Sequence, residues 1–129
     1  MVSPDELRKG NYFSGNFRDR WSVIKIRAMP LYSYDVEAAD GKEYSLANLE
    51  GIPLSPEILQ KCGFKFDADE LFDGEREVVV EKYILGYFEW YQKSKELFYR
   101  EVNLPHIKYL HQLQNIYFDL IGEELNVQL

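Results

Sequence analysis

Along the first fifty positions, apolar and polar residues alternate in short stretches that read as strands. Residues 7–13 form a brief one, in which Gly10 lets the backbone bend. Gly15-Asn16 reads as a turn into a second strand at 21–27, where the Ser22/Ile24/Ile26/Ala28 face is the more apolar. Pro30 ends that strand. Tyr32, Tyr34, Val36 and Ala38 then alternate with Ser33, Asp35 and Glu37, the period-two pattern of a half-buried strand. Asp40-Gly41 signals a tight type I′ hairpin, whose two central residues both need positive φ, and 42–46 is its return strand. Four or five short strands with tight turns predict a small, curled, SH3-like antiparallel sheet.

The pattern changes after Gly51-Ile52-Pro53-Leu54, a stiff and apolar junction. Ser55-Pro56-Glu57 opens a short helix, with serine as cap, proline in the first turn and an early glutamate at the positive end of the dipole. Ile58, Leu59 and Cys62 supply its inner side and Gly63 its stop. Residues 67–77 read as a solvated acidic segment. Val78-Val79-Val80 begins a second β region, and residues 84–92 and 96–102 flank a hairpin tip at Lys93-Ser94-Lys95. The last element is an amphipathic helix begun by Asn103-Leu104-Pro105 and ended by Gly122. At about 100° per residue, Ile107, Leu110, Leu113, Ile116, Tyr117, Leu120 and Ile121 share one arc. Gln114 falls inside that arc and His111 at its edge, so Gln114 is expected to be buried and hydrogen-bonded to a backbone edge or a buried polar group. The class predicted is α+β: an SH3-like antiparallel lobe, a short helix, a second antiparallel element and a C-terminal amphipathic helix. Residues 1–129 make one compact domain, with sub-lobes at 1–52 and 53–129.

Three separated segments carry a resemblance. They are Glu6-Leu7-Arg8-Lys9-Gly10-Asn11-Tyr12, then residues 52–59 with Cys62-Gly63-Phe64, then residues 107–118 with 120–125. In this order they resemble a family of small uncharacterised proteins of Bacteroides-type bacteria and their phages and mobile elements. The resemblance implies an intracellular accessory protein of bacterial or phage origin. It supplies no activity, cofactor or catalytic residue to carry over.

Composition narrows the function classes. The 129 residues include 15 Lys+Arg and 22 Asp+Glu, a net charge of −7, with 16% aromatics and one cysteine. A disordered chain and a disulfide framework are both excluded. Residues 1–65 are neutral overall, with a basic leading third; residues 66–129 carry the whole −7. The acidic total argues against broad binding to nucleic acid or an anionic membrane. The start is acidic, without the apolar core of a signal peptide, and no apolar run reaches spanning length, so a cytoplasmic protein without membrane contact is expected.

Little chemistry survives inspection. Cys62 lies at a helix C-terminus, where a thiol is not activated. His106 and His111, five apart on one helix, splay too widely to share a metal. Asp67-Ala68-Asp69 imitates an EF-hand start, but Leu71 and Phe72 occupy the next ligand position and the obligatory glycine. No catalytic, cofactor or metal residue is assigned. Two candidate groups remain. Arg8, Lys9, Tyr12, Phe17, Arg18, Arg20 and Trp21 interleave cations with aromatics, as where bases stack beside phosphate contacts. His111, Gln114 and Asn115 form a polar cluster on the last helix. The leading expectation is a non-enzymatic interaction module with a protein partner or self-association through exposed aromatics. Nucleic-acid binding by the N-terminal lobe comes second, and an enzyme with a pocket around His111 and Gln114 third.

Overall fold

The computed structural model describes residues 4–29 and 35–129. Pro30, Tyr32 and Tyr34 lie outside them, so the first part of the expected 32–38 strand is not described. The chain is mixed α+β, with two five-stranded antiparallel sheets and two α-helices among the described residues. It divides into two units, Met1–Pro53 with Tyr109–Glu124, and Leu54–Lys108 with Leu125–Leu129. No helix among the described residues is long and apolar enough to cross a membrane.

In the first unit, a single 3₁₀ turn at Pro4–Glu6 precedes β1 (Tyr12–Phe17), β2 (Arg20–Ala28), β3 (Asp35–Ala38) and β4 (Glu43–Ser45). A second 3₁₀ turn, Leu46–Asn48, leads into β5 (Leu49–Glu50), which returns to pair with β1, so the sheet order is β4-β3-β2-β1-β5. The sheet's core is Phe13, Ile24, Ile26, Val36, Ala38, Tyr44, Leu46 and Leu49. Ile24 and Ile26 lie on the β2 face expected to be apolar.

Two turns differ from expectation. Gly15 and Asn16 lie inside β1, opposite Ser22 and Trp21. The turn falls two residues later, at Arg18 and Asp19, which both have positive φ (51° and 63°) and so give the right-handed twist that a two-residue hairpin needs. Gly15 serves packing instead, since a Cβ there would stand 3.0 Å from the Tyr44 ring. Asp40-Gly41 does join two strands, but of the pair only Gly41 has positive φ, and the Gly41 N–H donates to Ala38 O (3.0 Å) in a longer loop.

The last helix, α2 (Leu110–Ile121), belongs to this unit and packs with β1 and the first 3₁₀ turn. It begins later than its pattern predicts. Tyr109 stands at its N-cap, where its N–H is received by Gln112 Oε1 (3.1 Å), and Gly122 closes it in the left-handed region. Asn103 and Leu104, expected to start the helix, are strand instead.

The second unit opens with α1 (Pro56–Lys61), capped as expected: Ser55 Oγ accepts the Ile58 N–H at 3.2 Å. A meander follows, made of β6 (Lys65–Asp73), β7 (Arg76–Leu85), β8 (Phe88–Tyr91), β9 (Glu96–Tyr99) and β10 (Val102–Leu104), ordered β10-β9-β8-β7-β6. Its buried side chains include Leu59, Cys62, Phe64, Tyr83, Phe88, Trp90 and Leu97. Burial pushes the Cys62 thiol up to about 12, a cause that its place at a helix C-terminus did not reveal. Gly86 divides the expected 84–92 strand into the end of β7 and the start of β8. The acidic stretch is not a loop: it forms β6, the two-residue turn Gly74-Glu75 and the start of β7.

Candidate functional site

The predicted polar cluster lies on the buried face of α2, where it joins the helix to residues 6–12. Gln114 is 3% exposed. Its Oε1 accepts the Tyr12 N–H (2.9 Å) and its Nε2 donates to Gly10 O (3.0 Å), so it stands in for a strand partner at the start of β1. Asn115 Nδ2 donates to Glu6 O (2.9 Å), while its Oδ1 accepts from Asn11 Nδ2 (3.0 Å) and the Arg8 guanidinium (3.3 Å). Asn11, buried in turn, accepts the Arg8 N–H through Oδ1 at 2.7 Å. Arg8 also pairs with Glu124 (2.9 Å) and lies over the Phe118 ring at 4.3 Å. Residues 6–12 and the last helix meet in this network. Its amides bond within the fold.

His111 is a different case. Its ring lies 4.5 Å from that of Phe13 and 5.9 Å from that of Tyr109, and is 2% exposed. Neither ring nitrogen has a hydrogen-bond partner among the described residues, and Glu6 Oε1 stands 3.7 Å from Nε2. Burial drives its pKa below the ordinary histidine value and outweighs the attraction of Glu6. The neutral ring is a packed core group.

The basic and aromatic candidates separate. Arg8 is spent on the network, Lys9 is exposed, and Tyr12 lies beneath the Lys25 ammonium at 5.5 Å. Phe17, Arg18, Arg20 and Trp21 do come together, around a cavity of about 510 Å³ at the β1–β2 turn. The cross-strand pairing of Phe17 with Arg20 puts both on one face. Ser22, Lys42 and Tyr44, which the sequence reading missed, complete the lining, with the Lys42 ammonium 4.8 Å from the Phe17 ring. The Asp40 carboxylate accepts from the Tyr44 hydroxyl at 3.2 Å; burial above all, and then this bond, raises the Tyr44 pKa. The Asp40-Gly41 loop was visible in the sequence, but not which strand it would bring beside β1.

A second surface was not singled out at all. β8 accompanies β7 only from Leu85 to Lys82, and the last rung is the Gln92 N–H donating to Glu81 O (3.1 Å). Beyond it, β6 and β7 continue as a two-stranded arm paired only with each other, down to Asp73 and Arg76. Leu71, Phe72, Val78 and Val79 are exposed on this arm, Phe72 to 77%. Between the free edge of β7 and the β8–β9 turn lies a groove of about 940 Å³ lined by residues 78–81, 91–94 and Phe98. Where β8 still pairs with β7, the Lys82 ammonium contacts Asp69 (3.1 Å) and Glu89 (3.4 Å); the hydrogen bond to Asp69 leads in raising its pKa. The signal for this arm was Asp73-Gly74 before three valines, the same Asp-Gly sign that was read at Asp40-Gly41.

Comparison with protein-family models, curated proteins and solved structures finds no match. The arm offers apolar side chains and an open strand edge set among carboxylates; the cavity at the β1–β2 turn offers cations on an aromatic floor. Among the described residues, no group of three or more His, Cys, Asp or Glu side chains is placed to hold a metal ion.

Proposed function

We propose that the protein is a non-enzymatic interaction module, a cytoplasmic accessory protein of bacterial or phage origin that binds a protein partner. The observation that carries this reading is the β6–β7 arm, which holds four exposed apolar side chains on a ribbon with no third strand. A two-stranded ribbon is at best marginally stable alone, and apolar side chains gathered on one element mark interaction surfaces. Affinity capture from the native host tests the reading with Leu71→Ser/Phe72→Ser as comparison. The expected result is a specific protein retained by the wild type and lost by the double variant. A monomer that retains nothing specific refutes the reading.

The first sheet is read as an SH3-like lobe. Support comes from the β4-β3-β2-β1-β5 order and the 3₁₀ turn before β5. A second reading, nucleic-acid binding by this lobe, is favoured by the meeting of Arg18, Arg20 and Lys42 beside Phe17 and Trp21. Gel mobility shift with single-stranded DNA at low salt checks it: Arg18→Ala/Arg20→Ala weakens any shift seen, and no shift at low salt excludes this role.

A further inference from the structure

The free edge of β7 is specific enough to say what kind of partner it accepts. In an antiparallel ladder each residue directs its N–H and C=O to the same side, and successive residues alternate sides. Glu81 O accepts from Gln92, so Glu81 faces the β8 side. By alternation Val79 and Glu77 face it too, beyond the point where β8 stops. Val78 and Val80 turn the other way, onto Leu71 and Asp69 of β6. Val79 therefore presents a backbone donor and acceptor to an open edge above an apolar groove.

We propose that this edge takes up an extended segment of a partner protein as an added strand, antiparallel to β7 and collinear with β8, with alternating apolar and basic side chains. The inference rests on the interaction reading above and names the geometry and charge of the partner. Apolar residues of such a strand would lie beside Val78, Val80, Tyr91 and Phe98 along the groove. Its charge is argued from the carboxylates around the edge: Glu77 and Glu81 flank Val79 on the strand, with Asp69, Glu70 and Glu75 on the same arm. Arg76 is the arm's cation; Lys82, where β8 still pairs with β7, is already engaged by Asp69 and Glu89, and Lys93 lines the groove from the β8–β9 turn. A second copy of the chain fits poorly. Residues 77–81 read Glu-Val-Val-Val-Glu, so two-fold pairing about Val79 would set Glu77 opposite Glu81 twice, and like charges directly opposite are destabilising.

The test uses the full chain and a fluorescent heptapeptide of alternating lysine and valine, read by anisotropy at low and high salt. Comparison peptides are its glutamate–valine counterpart, a version with the lysines and valines in separate blocks, and one N-methylated along the edge meant to face β7. Binding of the lysine–valine peptide alone is expected, weakened at least tenfold by high salt and at least tenfold by N-methylation. Val79→Pro removes the edge N–H while leaving the β6–β7 ladder intact, and is expected to weaken binding at least tenfold with an unchanged circular dichroism spectrum. Should that variant fail to fold, the N-methylated peptide decides the question on the wild type. Equal binding of the blocked-sequence or N-methylated peptide overturns strand addition while leaving the interaction reading standing. Absence of peptide binding, with self-association that Val79→Pro abolishes, overturns the partner in favour of a second copy. Absence of both overturns the edge as a site.

Discussion

His111 shows how a single residue links burial to pH. Unfolded, a histidine titrates near 6.5; in the fold, burial between Phe13 and Tyr109 holds it lower. As pH falls the unfolded chain takes up this proton first. His111's contribution to stability is therefore full above about pH 6.5 and is lost between there and the folded-state value. Glu6, 3.7 Å away, resists the trend without reversing it, because the loss of water on burial is the larger effect. His111→Phe keeps a ring in the stack and removes two nitrogens that have no hydrogen-bond partner. Urea unfolding near neutral pH and at about pH 5 is expected to show no loss at neutrality and a flatter acid decline in the variant. A variant that keeps the wild-type pH slope would place the titration on another group.

For whole elements, legibility in the sequence followed the range of the interactions that set their ends. α1 is capped by Ser55 and Pro56 within its own first turn, and both signals are local. The end of α2 at Gly122 is equally local. Its start was misplaced because Asn103-Leu104-Pro105 carries start signals, while the actual N-cap, Tyr109, is not a preferred capping residue. The partners of Gln114 were out of reach for the opposite reason: its helical position foretold burial, but Gly10 and Tyr12 are more than a hundred residues away. The arm was missed because carboxylates depress strand propensity, yet the nine-pair β6–β7 ladder runs through it without a register shift. α2 thus acts partly as an extra edge for β1. Gln114→Leu leaves the Tyr12 N–H and Gly10 C=O without this partner and is expected to cost about 2–3 kcal/mol, measured by urea unfolding. An unchanged midpoint would mean that water replaces the amide without penalty.

The two units of the molecule are interleaved along the chain. The first is built from Met1–Pro53 and then, after the whole of Leu54–Lys108, from Tyr109–Glu124. The two surfaces divide between the units: the basic cavity belongs to the first and the acidic arm to the second. A chain ended after Lys108 lacks α2, so Gly10 and Tyr12 lose their Gln114 bonds, Asn11 its bond to Asn115 and Phe13 its His111 neighbour. That fragment is expected to lose cooperative unfolding of the first sheet, read by near-ultraviolet circular dichroism against the full chain. A native-like signal from the fragment would show that β1 to β5 hold without the helix. The same layout sets a delay during synthesis. Tyr12 leaves the ribosome 102 residues ahead of Gln114, and at about 5–20 residues per second this is roughly 5–20 s. Throughout that interval the nascent chain carries a first strand whose helical partner has not yet been made, and this is when a chaperone would have most to bind.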